Sequence, residues 1–159
     1  MKPESLEHTT FVIERELPGS PRHAFRFWSD RALKEVWNAC HPEWTILEDT
    51  FDFRVGAGEA KRWLTPDGQE LTYRSYFLDI VPEQRIIYAY EMTFADRRMS
   101  ASLATVEFSP LGRQTLMKFT EQAVFLGDEG AKSQRVAGTE DGFNRLATAI
   151  AEASDAALS

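Results

Sequence analysis

The feature that most constrains this chain is a change of hydrophobic period. From residue 43 to about 125, apolar side chains recur at every second position, in runs broken by turn signals; from about 133 to 157 the spacing becomes helical. Short loops between alternating runs make successive strands antiparallel neighbours. One sheet followed by one amphipathic helix has a single way to bury both apolar faces, which is against each other. A sheet that bends strongly around one helix cannot touch it everywhere, and the residual space becomes a cavity.

The elements follow in order. Residues 9–17 are β-rich and stop at Pro18-Gly19. Ser20 then caps a short helix with Pro21 at its first position, and Ala24, Phe25, Phe27 and Trp28 form its apolar stripe. Asp30 caps a second short helix, 31–38, carrying Leu33, Val36 and Trp37, and residues 39–42 break it. Strand signals follow at 44–48 and 51–55, bent near Asp49-Thr50, and at 59–65, 70–81, 85–94, 99–109 and 114–125. Gly56-Ala57-Gly58, Pro66-Asp67-Gly68, Pro82-Glu83, 95–98 and 109–113 turn the chain between them. In the last helix, 133–157, Val136, Phe143, Leu146, Ala147 and Ile150 share a face. Gly138 and Gly142 predict an irregular start or a close approach. No repeat, linker or low-complexity segment divides the chain. The expectation is one α+β domain over 1–159, core about 9–157, with six or seven strands curved around one long helix.

Composition narrows the function. Apolar residues are 43% and charged residues 27%, which excludes disorder. A net charge of -7 repels nucleic-acid phosphates and anionic lipid, so neither is expected as a partner. No apolar run is long enough to cross a bilayer, residues 1–10 lack the apolar core of a signal peptide, and the single Cys40 excludes an internal disulfide. The expected location is the cytoplasm. Aromatic residues reach 12%, with four Trp, four Tyr and eleven Phe, and such faces serve either as core or as the wall of a ligand pocket.

Reactive chemistry is thinly represented. His8, His23 and His41 do not pair with other ligands at metal spacing, and the neighbours Cys40 and His41 do not converge on one ion, so no metal and no cofactor is expected. Cys40 lacks a recognisable activating niche. The glycines at 56 and 58 lie between strands, without the helix N-terminus that cradles a phosphate. Alternation places Glu59, Lys61 and Trp63 on one face of their strand, and Tyr88, Tyr90 and Met92 on one face of theirs. With Glu59 inward, its carboxylate is the candidate acid, base or polar anchor. Trp37 and Trp44 are expected near the pocket mouth, Tyr73 on the wall, and Phe143 and Leu146 on the gripping helix. These ten residues form the candidate ligand site.

The motifs also resemble a known family. They are Glu14-Arg15-Glu16-Leu17 followed by Pro21-Arg22-His23-Ala24-Phe25; Leu33 with Trp37; Phe51-Asp52-Phe53-Arg54-Val55-Gly56; and Asp79-Ile80-Val81-Pro82-Glu83-Gln84-Arg85-Ile86. Tyr90-Glu91-Met92, Ser102 to Phe108, Phe119-Thr120-Glu121-Gln122 and Asp141 to Leu146 complete the series. In this order they resemble the START-like helix-grip superfamily of the birch-pollen allergen and the polyketide cyclases. Within it the chain is similar to the bacterial branch related to the C-terminal domain of the heat-shock-protein-90 ATPase activator. The resemblance implies the helix-grip fold and an internal pocket, without implying a reaction. Ala57 departs from a family Gly-Gly turn, and no segment matches the co-chaperone's additional N-terminal domain.

Three functions fit these observations. The first is binding of a small, largely apolar or aromatic molecule. The second is a cyclase or aromatase chemistry using Glu59 and a tyrosine. The third is a chaperone-activator-like interaction module acting through its surface. A buried Glu59 bonded to a tyrosine would favour the enzyme, and a purely apolar cavity would favour the carrier. A homodimer through a sheet edge or helix is also left open.

Overall fold

A computed structural model describes residues 6–39, 41–127 and 130–153. The order is β1 (Leu6–Pro18), α1 (Pro21–Ser29), α2 (Arg31–Trp37), β2 (Thr45–Phe51), β3 (Glu59–Leu64), β4 (Glu70–Val81), β5 (Arg85–Phe94), β6 (Arg97–Leu111), β7 (Gln114–Leu126) and α3 (Ala131–Glu152). The seven strands form one antiparallel sheet in the order β1-β7-β6-β5-β4-β3-β2, with α3 gripped by its concave face. This is the α+β helix-grip architecture expected from the sequence.

Both short helices start where their caps dictate. The Ser20 side chain accepts from the His23 backbone N–H at 3.2 Å, and Asp30 Oδ1 accepts from that of Leu33 at 3.1 Å. The Trp37 indole N–H donates to the Phe27 carbonyl at 2.8 Å, tying α2 to α1.

Some boundaries differ from expectation, each for a local reason. The strand expected at 51–55 ends at Phe51, because Asp52 and Arg54 close on each other through a two-bonded carboxylate–guanidinium fork. The hairpin turns are tighter than expected. Phe94 pairs with Arg97 and Leu111 with Gln114, so each loop has two residues. Ala95 and Asp96 both take positive φ, and Gly112 leads the other turn with φ 61°. Gly58 earns its place differently: a Cβ there would lie 1.8 Å from the Ser75 carbonyl oxygen, so only glycine lets β3 approach β4 at this point. The helix face expected around 154–157 lies outside the described residues.

The register explains both the core and the hollow beside it. Ile13, Phe119, Val106, Ile86 and Ile80 line up across five strands. Phe25, Phe27, Leu146 and Ile150 close over that end of the sheet. Toward the other end the inward positions of β6 shrink to Ala104, Ser102 and Ser100, all buried. On α3 the matching positions are Gly142 and Gly138, one helical turn apart. Gly138 has nothing within 4 Å of a Cβ, and Gly142 only the Arg145 guanidinium at 3.7 Å. The expected close approach at these glycines is therefore absent; they keep space free.

Candidate functional site

A cavity of about 300 Å³ lies between the concave sheet face and α3, with Gly138 and Gly142 on its helix side. Its wall is aromatic. Tyr88, Tyr90 and Met92 enter from β5, as the period-two pattern requires, with Tyr73 from β4 and Trp63 from β3. Trp28 and Trp37 come from the short helices and Phe143 from α3. The rings form a continuous set: Tyr73 and Tyr90 centroids lie 5.3 Å apart, Tyr88 and Tyr90 5.9 Å, Trp28 and Trp37 4.9 Å.

Seven of the ten residues singled out from sequence thus stand on this wall: Trp37, Trp63, Tyr73, Tyr88, Tyr90, Met92 and Phe143. Three stand elsewhere. Trp44 packs on Trp63, with centroids 6.4 Å apart. Leu146 is fully buried in the core, one helical turn from the cavity face. Glu59 is inward and 3% exposed, but Lys34 and Lys61 cover its carboxylate. Lys34 donates to Glu59 Oε1, and the Lys61 ammonium lies 3.7 Å from Oε2. Among the described residues no tyrosine hydroxyl bonds to Glu59. Burial pushes the Lys34 ammonium below the ordinary lysine value, against the pull of Glu59.

A second polar cluster was not singled out beforehand. Glu121 on β7 is fully buried and accepts from the Tyr90 hydroxyl at 2.7 Å and the Ser102 hydroxyl at 2.8 Å. Arg135 on α3 donates to Glu121 at 3.2 Å, to Tyr90 at 2.8 Å and to Ser100 at 2.7 Å. Arg135, Gln134 and Met92 also border a second hollow of about 540 Å³, so Arg135 stands between the two. The signal for Glu121 was present, since strict alternation along 114–125 puts it among Met117, Phe119, Ala123 and Phe125 on the buried face. Arg135 had no such signal, because an arginine in a first helical turn reads as solvated.

Burial pushes the phenols of Tyr73 and Tyr88 well above the ordinary tyrosine value; at Tyr90 burial is again the largest cause, with the Glu121 carboxylate adding to it and Arg135 opposing. All three hydroxyls therefore remain protonated through neutral pH, as hydrogen-bond donors. His8 is exposed on β1, His41 Nδ1 accepts from the Glu43 N–H at 3.2 Å, and His23 is buried on α1 near the Ile150 carbonyl. Cys40 lies outside the described residues. No helix among the described residues is long and apolar enough to cross a membrane.

Comparison with known proteins agrees with this architecture. No curated protein is a significant match. A solved structure of an uncharacterised protein from Rhizobium leguminosarum is 42% identical, covering 96% of this chain and 100% of that one, with a TM-score of 0.87. A protein from Rhizobium loti is 40% identical over 91% of this chain and 99% of that one, with a TM-score of 0.84. A protein of the dynemicin biosynthetic locus shares the fold alone, at 14% identity and a TM-score of 0.65, over 90% of this chain and 47% of that one. Residues 18–155 match the family described as activator of Hsp90 ATPase homolog 1-like protein. With that match spanning most of its length, and with its sheet gripping one long helix, the chain belongs to the activator of Hsp90 ATPase homolog 1-like family of the START-like superfamily.

Proposed function

We propose that the chain binds a small, largely aromatic molecule in the cavity between the sheet and α3. One observation carries this reading. Gly138 and Gly142 on α3 leave open a hollow in the middle of an aromatic wall. A core selected for stability alone would fill it, because unfilled interior forfeits contacts on every side. The volume is at the lower end of the roughly 300–1,000 Å³ typical of ligand sites, which suits one or two fused rings. The apolar wall supplies affinity, and the Tyr90–Glu121–Arg135 cluster supplies orientation.

A second reading, acid–base chemistry of the cyclase type, is favoured by the same cluster. A tyrosine and a carboxylate meet at 2.7 Å on the cavity wall. The pair is Tyr90 with Glu121, since Glu59 is engaged by two lysines. The raised Tyr90 phenol holds its proton, which it donates to Glu121, so a ligand oxygen would have to displace that bond to accept it. The family's name points to a protein partner, and the aromatic-walled hollow favours the small molecule.

Native mass spectrometry of freshly purified protein, set against the denatured mass, tests the reading. A retained small molecule released by Tyr90→Ala supports it. A clean apo mass, together with no thermal shift across a library of aromatic metabolites, removes it.

A further inference from the structure

The cavity wall carries more positive than negative charge, although the chain as a whole carries -7. Three cations are held inside: Lys34, Lys61 and Arg135, with side chains 9%, 8% and 13% exposed. Two buried carboxylates face them, Glu59 and Glu121, each 1% exposed at the side chain. Arg135 is matched by Glu121, and Lys34 by Glu59. Lys61 is the remaining buried cation; Arg145, also on the wall, is exposed and donates to the Trp37 carbonyl at 3.1 Å. The Lys61 ammonium lies 3.7 Å from Glu59 Oε2, the carboxylate oxygen that Lys34 does not take, beyond hydrogen-bonding distance, and 5.8 Å from the Trp63 ring centroid. It donates no hydrogen bond among the described residues. The indole N–H of Trp28, another wall residue, is likewise buried without an acceptor.

A buried ammonium without a full counter-ion is unfavourable unless something with negative charge completes it. An aromatic slot beside such a group selects a flat ring bearing an acceptor.

Resting on the cavity-binding reading above, we propose that the ligand is a monoanionic aromatic, with its ring between Trp28, Tyr73 and Tyr88 and its carboxylate on Lys61. The anion would complete the charge of the Lys34–Glu59–Lys61 cluster.

Isothermal titration of the full chain with 2-naphthoate and its neutral isostere 2-naphthamide tests this. Naphthoate is expected to bind at least about tenfold tighter, the size of a charge-assisted bond in a partly dry site. Lys61→Met leaves Glu59 paired with Lys34 and is expected to abolish that advantage, bringing naphthoate affinity down to that of naphthamide. Equal affinity of the two compounds for the wild-type protein overturns the anion while leaving the cavity reading in place. An advantage that persists in Lys61→Met, or in Lys61→Gln if the first variant does not fold, overturns the assignment of Lys61. Failure of both compounds to bind overturns the cavity reading and this inference with it.

Discussion

The Tyr90 hydroxyl reaches Glu121 Oε1 at 2.7 Å across the whole width of β6, because the residues between them are Ser102 and Ala104. A larger side chain at either position would part the two. The bond therefore depends on small residues at these two positions, and it fixes the tyrosine ring that forms part of the wall.

Glu121 neutralises Arg135 in a largely dry site. Glu121→Gln is expected to destabilise the fold by about 3 kcal/mol, because it leaves the guanidinium inside without its anion. Combining it with Arg135→Met should recover much of that loss. Urea denaturation of the two single variants and the double variant measures the coupling.

Gly142 lines the cavity from α3, and a Cβ there meets only Arg145 at ordinary contact distance. Gly142→Ala should stabilise the helix by about 0.5–1 kcal/mol. Gly142→Leu should abolish binding of an aromatic probe while the protein stays folded. Thermal melts beside probe titration separate the two effects.

Leu146 tests where the wall ends. It belongs to the core and not to the cavity lining, so Leu146→Ala is expected to cost about 3 kcal/mol. Ligand affinity, measured well below the melting temperature, should stay near that of the parent.

The buried phenols set the alkaline limit. Tyr73, Tyr88 and Tyr90 have folded-state values raised above the ordinary value of 10.0, so above that pH the unfolded chain releases protons the folded chain retains. Stability is thus complete below pH 10 and falls as pH rises beyond it, by up to about 1.4 kcal/mol per pH unit for each tyrosine. Denaturation midpoints from pH 9 to 12, followed by tyrosinate absorbance, should show this slope. Replacing Tyr88 with Phe should reduce it.

Much of the fold was legible because its signals are local. Ser20-Pro21 and Asp30 mark helix starts, and alternation along β4, β5 and β7 marks strands whose limits matched to within a residue. The same alternation put Tyr88, Tyr90 and Met92 on one face. The charged partners were harder to see. Lys34 sits in a short helix of mixed polarity, and its burial depends on Glu59 being 25 residues away in sequence but adjacent in space. Arg135 depends in the same way on strands β5 to β7. Pairings of this kind are made by tertiary closure, which periodicity does not encode.

The pair Gly138 and Gly142 on α3 separates what holds the protein together from what leaves its interior open. The backbone is secured at the other end, by the Ile13–Ile80 row and the lower half of α3. Exchanging Gly138 or Gly142 for a larger residue is expected to shrink the chamber while that row stays in place. Open space and the main packing are thereby assigned to different stretches of one helix.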